Sequence, residues 1–288
     1  MREITTVKIR KMKQAGEKLV MITAYDYAAA RLVEAAGVDL ILVGDSLGVV
    51  MLGYENTVAV TMDDMLHHVK AVTRGATRAM VIADLPFLSY QVSEEQAVAN
   101  AGRLLQEGGA QAVKLEGGEA MAPTARRIVR AGIPVFGHLG FTPQSVHGLG
   151  GPGFQGKEPL QAKRLLEDAL RLEDAGICGV VLELVPWEVA EAITARLAVP
   201  TIGIGSGPAC DGQVLVYHDL LGLDPGIKLR HNRVFAEIGR MTTEAVQSYL
   251  EAVRSGQFPT EANTRRMGPA EHLEFQAAIA GMQQGAKS

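Results

Sequence analysis

Residues 35–45 read AAGVDLILVGD, and the same arrangement returns as TRGATRAMVIAD (73–84), EGGAQAVKLEG (107–117), RAGIPVFGHLG (130–140) and DAGICGVVLEL (174–184). In each, an amphipathic stretch stops at small residues and a glycine. A short β-branched run follows and ends in a polar residue. The glycines (Gly37, Gly75, Gly109, Gly132, Gly176) stand where a helix needs a left-handed residue beyond its last turn. The runs are apolar on both faces, as parallel strands covered by helices must be. LVMITAYD (19–26) before them, with TIGIGSG (201–207) and QVLVYHD (213–219) after, gives eight candidate strands. Between strands, EEQAVANAGRLLQ (94–106) and QAKRLLEDALRLED (161–174) carry the 3.6-residue apolar period of surface helices. This alternation of strand and helix predicts an α/β fold, a (β/α)8 TIM-type barrel. An open doubly wound sheet competes, but eight strands whose polar residues lie at their C-terminal ends favour closure. Residues 1–288 read as a single catalytic domain with N-terminal and C-terminal helical additions. The barrel spans about 19–255, followed by a polar extension over 256–288.

Composition narrows the function. The 288 residues are 47% hydrophobic and 21% charged, ordinary globular usage that can bury a large core without disulfides. A net charge of -4 offers no basic field to nucleic acid or anionic membrane, so the expected partner is a small molecule. Cys178 and Cys210 lack the close spacing of a zinc or redox pair, and a reducing cytoplasm is expected. The basic start (MREITTVKIRKMKQ) leads into no apolar run, so no signal peptide is expected, and no stretch has membrane-spanning length. The glycine-rich segment 140–156 reads as a structureless loop over the active-site face, either a lid or a plain surface loop.

In a barrel the chemistry sits at strand C-terminal ends. Those ends carry Tyr25 and Asp26, Asp45 and Ser46, Asp84, Lys114 and Glu116, His138, Glu183 and Ser206. Three successive strands thus end in carboxylates, and neighbouring strands lie ~5 Å apart, so Asp45, Asp84 and Glu116 can converge on one point. Bare carboxylates repel one another, and an all-oxygen set selects a hard divalent cation such as Mg²⁺. Singly, each could be a turn residue or a solvated acid. Lys114 lies two residues before Glu116 and shares its face, one layer deeper. There it meets a substrate oxygen or forms an internal salt bridge to Asp84 or Glu116. Glu183, flanked by Leu182, Leu184 and Val185, has the apolar setting of a general base, or else pairs with an arginine on the rim. His138 is a substrate hydrogen-bonder or a satisfied interior histidine. GIGSG (203–207) resembles a phosphate-cradling turn. His67 and His68, and Arg74, Arg78, Arg126, Arg127 and Arg130, read as helix-face residues.

Taken in order, VGDSLGVVMLGYENTVAVTMDDMLHHVKAVTRGA (43–76), DLPFLSYQ (84–91), VKLEGG (113–118), GHLGFTPQS (137–145), VLELVP (181–186) and TIGIGSGPACDGQVLVYHDLLGL (201–223) resemble the ketopantoate hydroxymethyltransferase family. The likeness runs from about Thr5 to Leu223. It implies a (β/α)8 fold, one Mg²⁺ per subunit and a decameric homo-oligomer. It also implies transfer of a one-carbon unit from the co-substrate 5,10-methylenetetrahydrofolate to 3-methyl-2-oxobutanoate, in pantothenate synthesis. Carried over by motif, Asp45, Asp84 and Glu116 surround the metal. Ser46, Asp84 and Lys114, together with Asp45, would contact the 2-oxo acid, Tyr25 and His138 would line its pocket, and Glu183 would accept the proton. The stretch GGPGFQGK (150–157) departs from the family, which usually has an aromatic and a basic residue there. The rival readings are another Mg²⁺-dependent 2-oxo-acid enzyme, of the isocitrate lyase or phosphoenolpyruvate mutase type, and a non-catalytic metabolite-binding barrel.

Overall fold

A computed structural model describes residues 3–224 and 232–284. It forms two compact units, Met1–Ala236 and Glu237–Ser288, each considered by itself. In the first unit eight parallel strands close into a barrel in sequence order: β1 (Leu19–Thr23), β2 (Leu40–Val43), β3 (Met80–Asp84), β4 (Ala112–Glu116), β5 (Val135–Gly140), β6 (Gly179–Glu183), β7 (Thr201–Ile204) and β8 (Gly212–Leu215). The open-sheet alternative is thereby excluded. β1 pairs with β8, so no strand edge remains.

The helices of this unit are α1 (Thr6–Ala15), α2 (Tyr27–Ala36), α3 (Leu47–Val50), α4 (Met62–Gly75), α5 (Glu94–Gln106), α6 (Ala122–Arg130), α7 (Val146–Leu149), α8 (Pro159–Ala175), α9 (Trp187–Arg196) and α10 (Tyr217–Leu220). The second unit holds α11 (Ile238–Arg254) and α12 (Pro269–Gln284). No described helix is long and apolar enough to cross a membrane.

Two apolar layers follow from the strand alternation. Outward residues such as Val43, Val81, Val113 and Val180 pack beneath the helices, and inward ones such as Met21, Leu40, Met80, Phe136 and Ile202 fill the barrel. Ile9 and Met12 of α1 join the inner layer, and Lys13 bonds Asp211 at 2.7 Å and the Thr194 carbonyl at 2.9 Å. Helix α1 therefore closes the lower end of the barrel.

The structure departs from the expected pattern in two places. Gly37 and Gly176 end α2 and α8 in the left-handed conformation, but Gly75 lies inside α4. A Cβ there would meet the Ala30 Cβ and the Tyr27 carbonyl at 2.8 Å, so this glycine serves the close approach of α2 and α4. The second departure is between β7 and β8, where residues 205–211 return without any helix. The outward side chains of the neighbouring strands are left bare: Val20 is 52% exposed and Gln213 is exposed.

Candidate active site

The alternation that fills the barrel also builds the site. Ile82 and Asp84, Ala112, Lys114 and Glu116, Phe136 and His138, and Val181 and Glu183 follow the inward register of β3 to β6. Lower positions are apolar and the last turn of each strand is polar, so the charged groups collect at the C-terminal mouth. Register fixes their neighbours: Asp84 stands beside Lys114, and Glu116 beside His138.

Lys114 Nζ lies 3.2 Å from Asp84 Oδ1 and 3.2 Å from His138 Nδ1. His138 Nδ1 is also 3.2 Å from Glu116 Oε1, while its Nε2 is 3.3 Å from Glu183 Oε2. Asp84 Oδ2 accepts the Asp45 backbone N–H at 3.0 Å. Asp45, Asp84, Lys114, Glu116 and His138 are all buried, and Glu183 keeps 18% of its side chain exposed. Asp84 Oδ1 and His138 Nε2 have close ionic neighbours but receive or make no well-aligned hydrogen bond.

Burial and the negative charges of Asp84 and Glu116 raise the Asp45 carboxyl well above the usual range. Burial also raises Asp84, despite the opposing pull of Lys114 and the Asp45 amide. Glu116 goes the other way: burial is outweighed by His138, Lys114 and the Gln144 peptide N–H, which hold it low. For Lys114, burial is outweighed by Asp84, Glu116 and Asp45, which hold its ammonium above the ordinary lysine range. Burial and Lys114 pull His138 down, yet its contacts with Glu116 and Glu183 prevail and push it up to about 9. Four carboxyl groups (Asp45, Asp84, Glu116, Glu183) crowd against two basic groups (Lys114, His138), and burial with mutual repulsion raises Asp45. That crowding fits a divalent cation and an all-oxygen donor set.

The expected trio shares the cavity without meeting at one point. Among the described residues no three carboxylate, imidazole or thiol groups are drawn together as ligands, because Asp84 turns to Lys114 and Glu116 to His138. The internal salt bridge considered for Lys114 is present, to Asp84. Glu183 sits against His138 and not in a wholly apolar recess.

A cavity of about 230 Å³ opens over these groups. Asp45, Ser46, Asp84, Lys114, Glu116, His138 and Glu183 line it, together with the apolar Leu42, Val181, Ile204 and Val214. Tyr25 does not line it. Its hydroxyl lies 2.8 Å from Ser46 Oγ, so it backs the serine from behind. Ser206 is also committed to structure, donating to the Leu182 carbonyl at 2.8 Å and accepting from the Val185 N–H at 3.1 Å. The GIGSG turn thus clamps the end of β6. His68 Nδ1 lies 2.6 Å from the Tyr25 carbonyl, and Arg126, Arg127 and Arg130 are exposed on α6.

The glycine-rich segment is more ordered than its composition suggested: it contains a 3-10 turn, Pro143–Ser145, and α7. Phe141, Pro143 and Pro152 from it line the mouth. Phe141 N–H and Gln155 N–H bond the carbonyls of Glu183 and Leu184 at 2.8 and 2.9 Å. Leu184 takes a left-handed φ of 48°, a strained conformation beside Glu183 held by these contacts. Gly140 (φ 95°) makes the approach possible, since a Cβ would stand 2.1 Å from the Glu183 carbonyl. Gly140→Ala is expected to destabilise the protein by about 3 kcal/mol or more and to displace the loop; a urea melt within 1 kcal/mol of wild type, on the order of a surface change, would contradict this.

Sequence reasoning missed Gln144, buried against the Asp45 carboxylate, and Tyr90, buried against Gln144 and the Glu116 backbone. Neither carries charge, and their only signal was their place in the loops after β5 and β3.

A family profile described as ketopantoate hydroxymethyltransferase matches residues 3–261. The chain is 52% identical over 262 residues to the 3-methyl-2-oxobutanoate hydroxymethyltransferase of Thermoanaerobacter sp. (strain X514), covering 91% of this chain and 96% of that protein. It is 55% identical to the enzyme of the same name from Acetivibrio thermocellus, covering 91% and 93%. Among solved structures, phosphonopyruvate hydrolase in complex with oxalate and Mg++ is similar in fold, with a TM-score of 0.60 at 13% identity over 99% of both chains.

Proposed function

Because the chain belongs to the ketopantoate hydroxymethyltransferase family, we propose that its barrel mouth joins a hydroxymethyl group to 3-methyl-2-oxobutanoate, with 5,10-methylenetetrahydrofolate as the one-carbon donor. The enzyme is a transferase of pantothenate biosynthesis. The observation that carries the assignment of roles is the charged chain Asp84–Lys114–His138–Glu183 lining one small cavity that apolar side chains also line.

The substrate's C3 carbon becomes nucleophilic only when its proton leaves. Glu183, partly exposed at the cavity edge and steadied by His138, takes that proton. Negative charge then builds on the 2-oxo oxygen, and the Lys114 ammonium stands ready to stabilise it. Ser46, its hydroxyl oriented by Tyr25, binds the substrate carboxylate. Leu42, Val181, Ile204 and Val214 receive the branched alkyl group. Asp45 and Asp84 would hold Mg²⁺. Glu116, held by His138 and the Gln144 N–H, would support it through water. When bound, the cation supplies Lewis-acid stabilisation of the enolate oxygens, worth several kcal/mol. As C3 bonds to the donor's methylene carbon, that carbon's bonds to the folate nitrogens break and one water supplies the product hydroxyl. The C3 proton and the remaining water proton end on tetrahydrofolate. The loop bearing Phe141 and Pro152 lines the mouth through which that water enters.

Proton NMR of 3-methyl-2-oxobutanoate in D₂O tests this reading. With enzyme and Mg²⁺ the C3 hydrogen is expected to exchange without folate. The hydroxymethyl product should appear only when the folate donor is added, and EDTA should stop both. Full turnover in EDTA would remove the metal; turnover without folate would favour lyase-type chemistry. The cytoplasm and the decamer belong to the same proposal: the thiols of Cys178 and Cys210 are free, and sedimentation tests the assembly.

A further inference from the structure

We propose that Gln144 is a positioning residue that fixes the carboxylates of Asp45 and Glu116 for cation binding, and that Tyr90 fixes Gln144. The inference rests on the reading of Asp45 as a metal ligand and adds the residues that aim it.

Gln144 is buried on the 3-10 turn after β5. Its Nε2 donates to Asp45 Oδ2 at 2.8 Å and to the Leu85 carbonyl at 2.9 Å, which uses both protons. Its Oε1 accepts from the Tyr90 hydroxyl at 2.7 Å. Turning the amide over would set Oε1 against two acceptor oxygens, so the orientation is determined. The Tyr90 oxygen accepts the Glu116 backbone N–H at 3.1 Å, and the Gln144 backbone N–H returns to Glu116 Oε2 at 3.0 Å. A closed ring of hydrogen bonds therefore joins Gln144, Tyr90 and Glu116, and the Gln144 amide ties Asp45, beyond β2, to it. With Oδ2 occupied by Gln144, Asp45 has Oδ1 to offer the cavity that it lines. Gln144 itself does not line the cavity, so both tethers reach a carboxylate from behind the lining, as partners that orient metal ligands do.

Gln144→Met keeps the length of the side chain and the backbone N–H but deletes the amide. Titrating Mg²⁺ alone into the full-length enzyme by calorimetry, we expect binding ~10- to 100-fold weaker than wild type. Tyr90→Phe, which leaves Gln144 in place but loosens it, should weaken Mg²⁺ roughly 2- to 10-fold. A merely structural role would lower the melting midpoint without moving the Mg²⁺ Kd of the folded protein. Asp45→Asn separates the two levels of the argument. If it binds Mg²⁺ like wild type, the metal assignment itself fails. If it loses Mg²⁺ while Gln144→Met and Tyr90→Phe bind normally, the metal site stands and the positioning proposal is overturned. Should Gln144→Met not fold, Tyr90→Phe decides alone.

Discussion

Glu183→Gln is expected to fold, to bind Mg²⁺ and the 2-oxo acid, and to lose deuterium exchange at C3 by roughly 10²- to 10⁴-fold, the usual contribution of a positioned general base. The change is nearly isosteric. An amide oxygen in place of Oε2 keeps a polar neighbour 3.3 Å from His138 Nε2, so the packing of the mouth is retained. What disappears is a group able to take up a proton. The effect should therefore fall on the rate of exchange and leave the 2-oxo-acid Kd close to wild type. If exchange proceeds normally, the proton goes elsewhere, and His138 becomes the group to examine. If exchange and substrate binding fail together, Glu183 is a binding group.

Lys114→Met should show its largest effect in stability. Lys114 is the lysine buried among Asp84, Glu116 and Asp45, and removing one partner of a buried ion pair costs ~3–5 kcal/mol. Asp84 Oδ1 would lose its ionic neighbour and has no aligned hydrogen bond to fall back on. At roughly 2–4 °C per kcal/mol for a protein of this size class, the melting midpoint should drop on the order of 10 °C in EDTA. Mg²⁺ should restore part of the loss, raising the midpoint of the variant by more than that of wild type, because a divalent cation meets the same carboxylates. Melts with and without Mg²⁺ check this. A variant as stable as wild type in EDTA would mean that the carboxylates are relieved by protonation and do not depend on the lysine.

Barrel closure was legible in the sequence because strand and helix differ in period, and the period repeats down the chain. Glu183, Asp84 and Lys114 were legible for a related reason: a charged residue ending an apolar run breaks the pattern that buries the rest. Their pairing was not, since which neighbour each turns to depends on register. Asp84 meets Lys114 and Glu116 meets His138 only because β3, β4 and β5 pair with those offsets. Gln144 escaped notice because an uncharged amide in a loop violates no pattern. Tyr25 read as a pocket residue from its place beside β1, yet a side chain at a strand end can point behind the pocket as well as into it. The missing helix after β7 was invisible for the opposite reason. GSGPACD contains the turn residues of an ordinary connection, and nothing in it announces that a layer is absent.

That missing layer has a consequence for how the barrel breathes. β7 and β8 share only two register pairs, and the outer sides of β8 and β1 have no helix of the ring between residues 205 and 211 to shield their ladder. Amides of Val20 and Gln213 should therefore exchange with solvent well before those of β3 to β5, which are enclosed on both faces. The barrel has a soft seam, and it lies away from β3 to β6, whose ends carry Asp84, Lys114, Glu116, His138 and Glu183. Opening there can relax the cylinder while leaving the reacting groups in register.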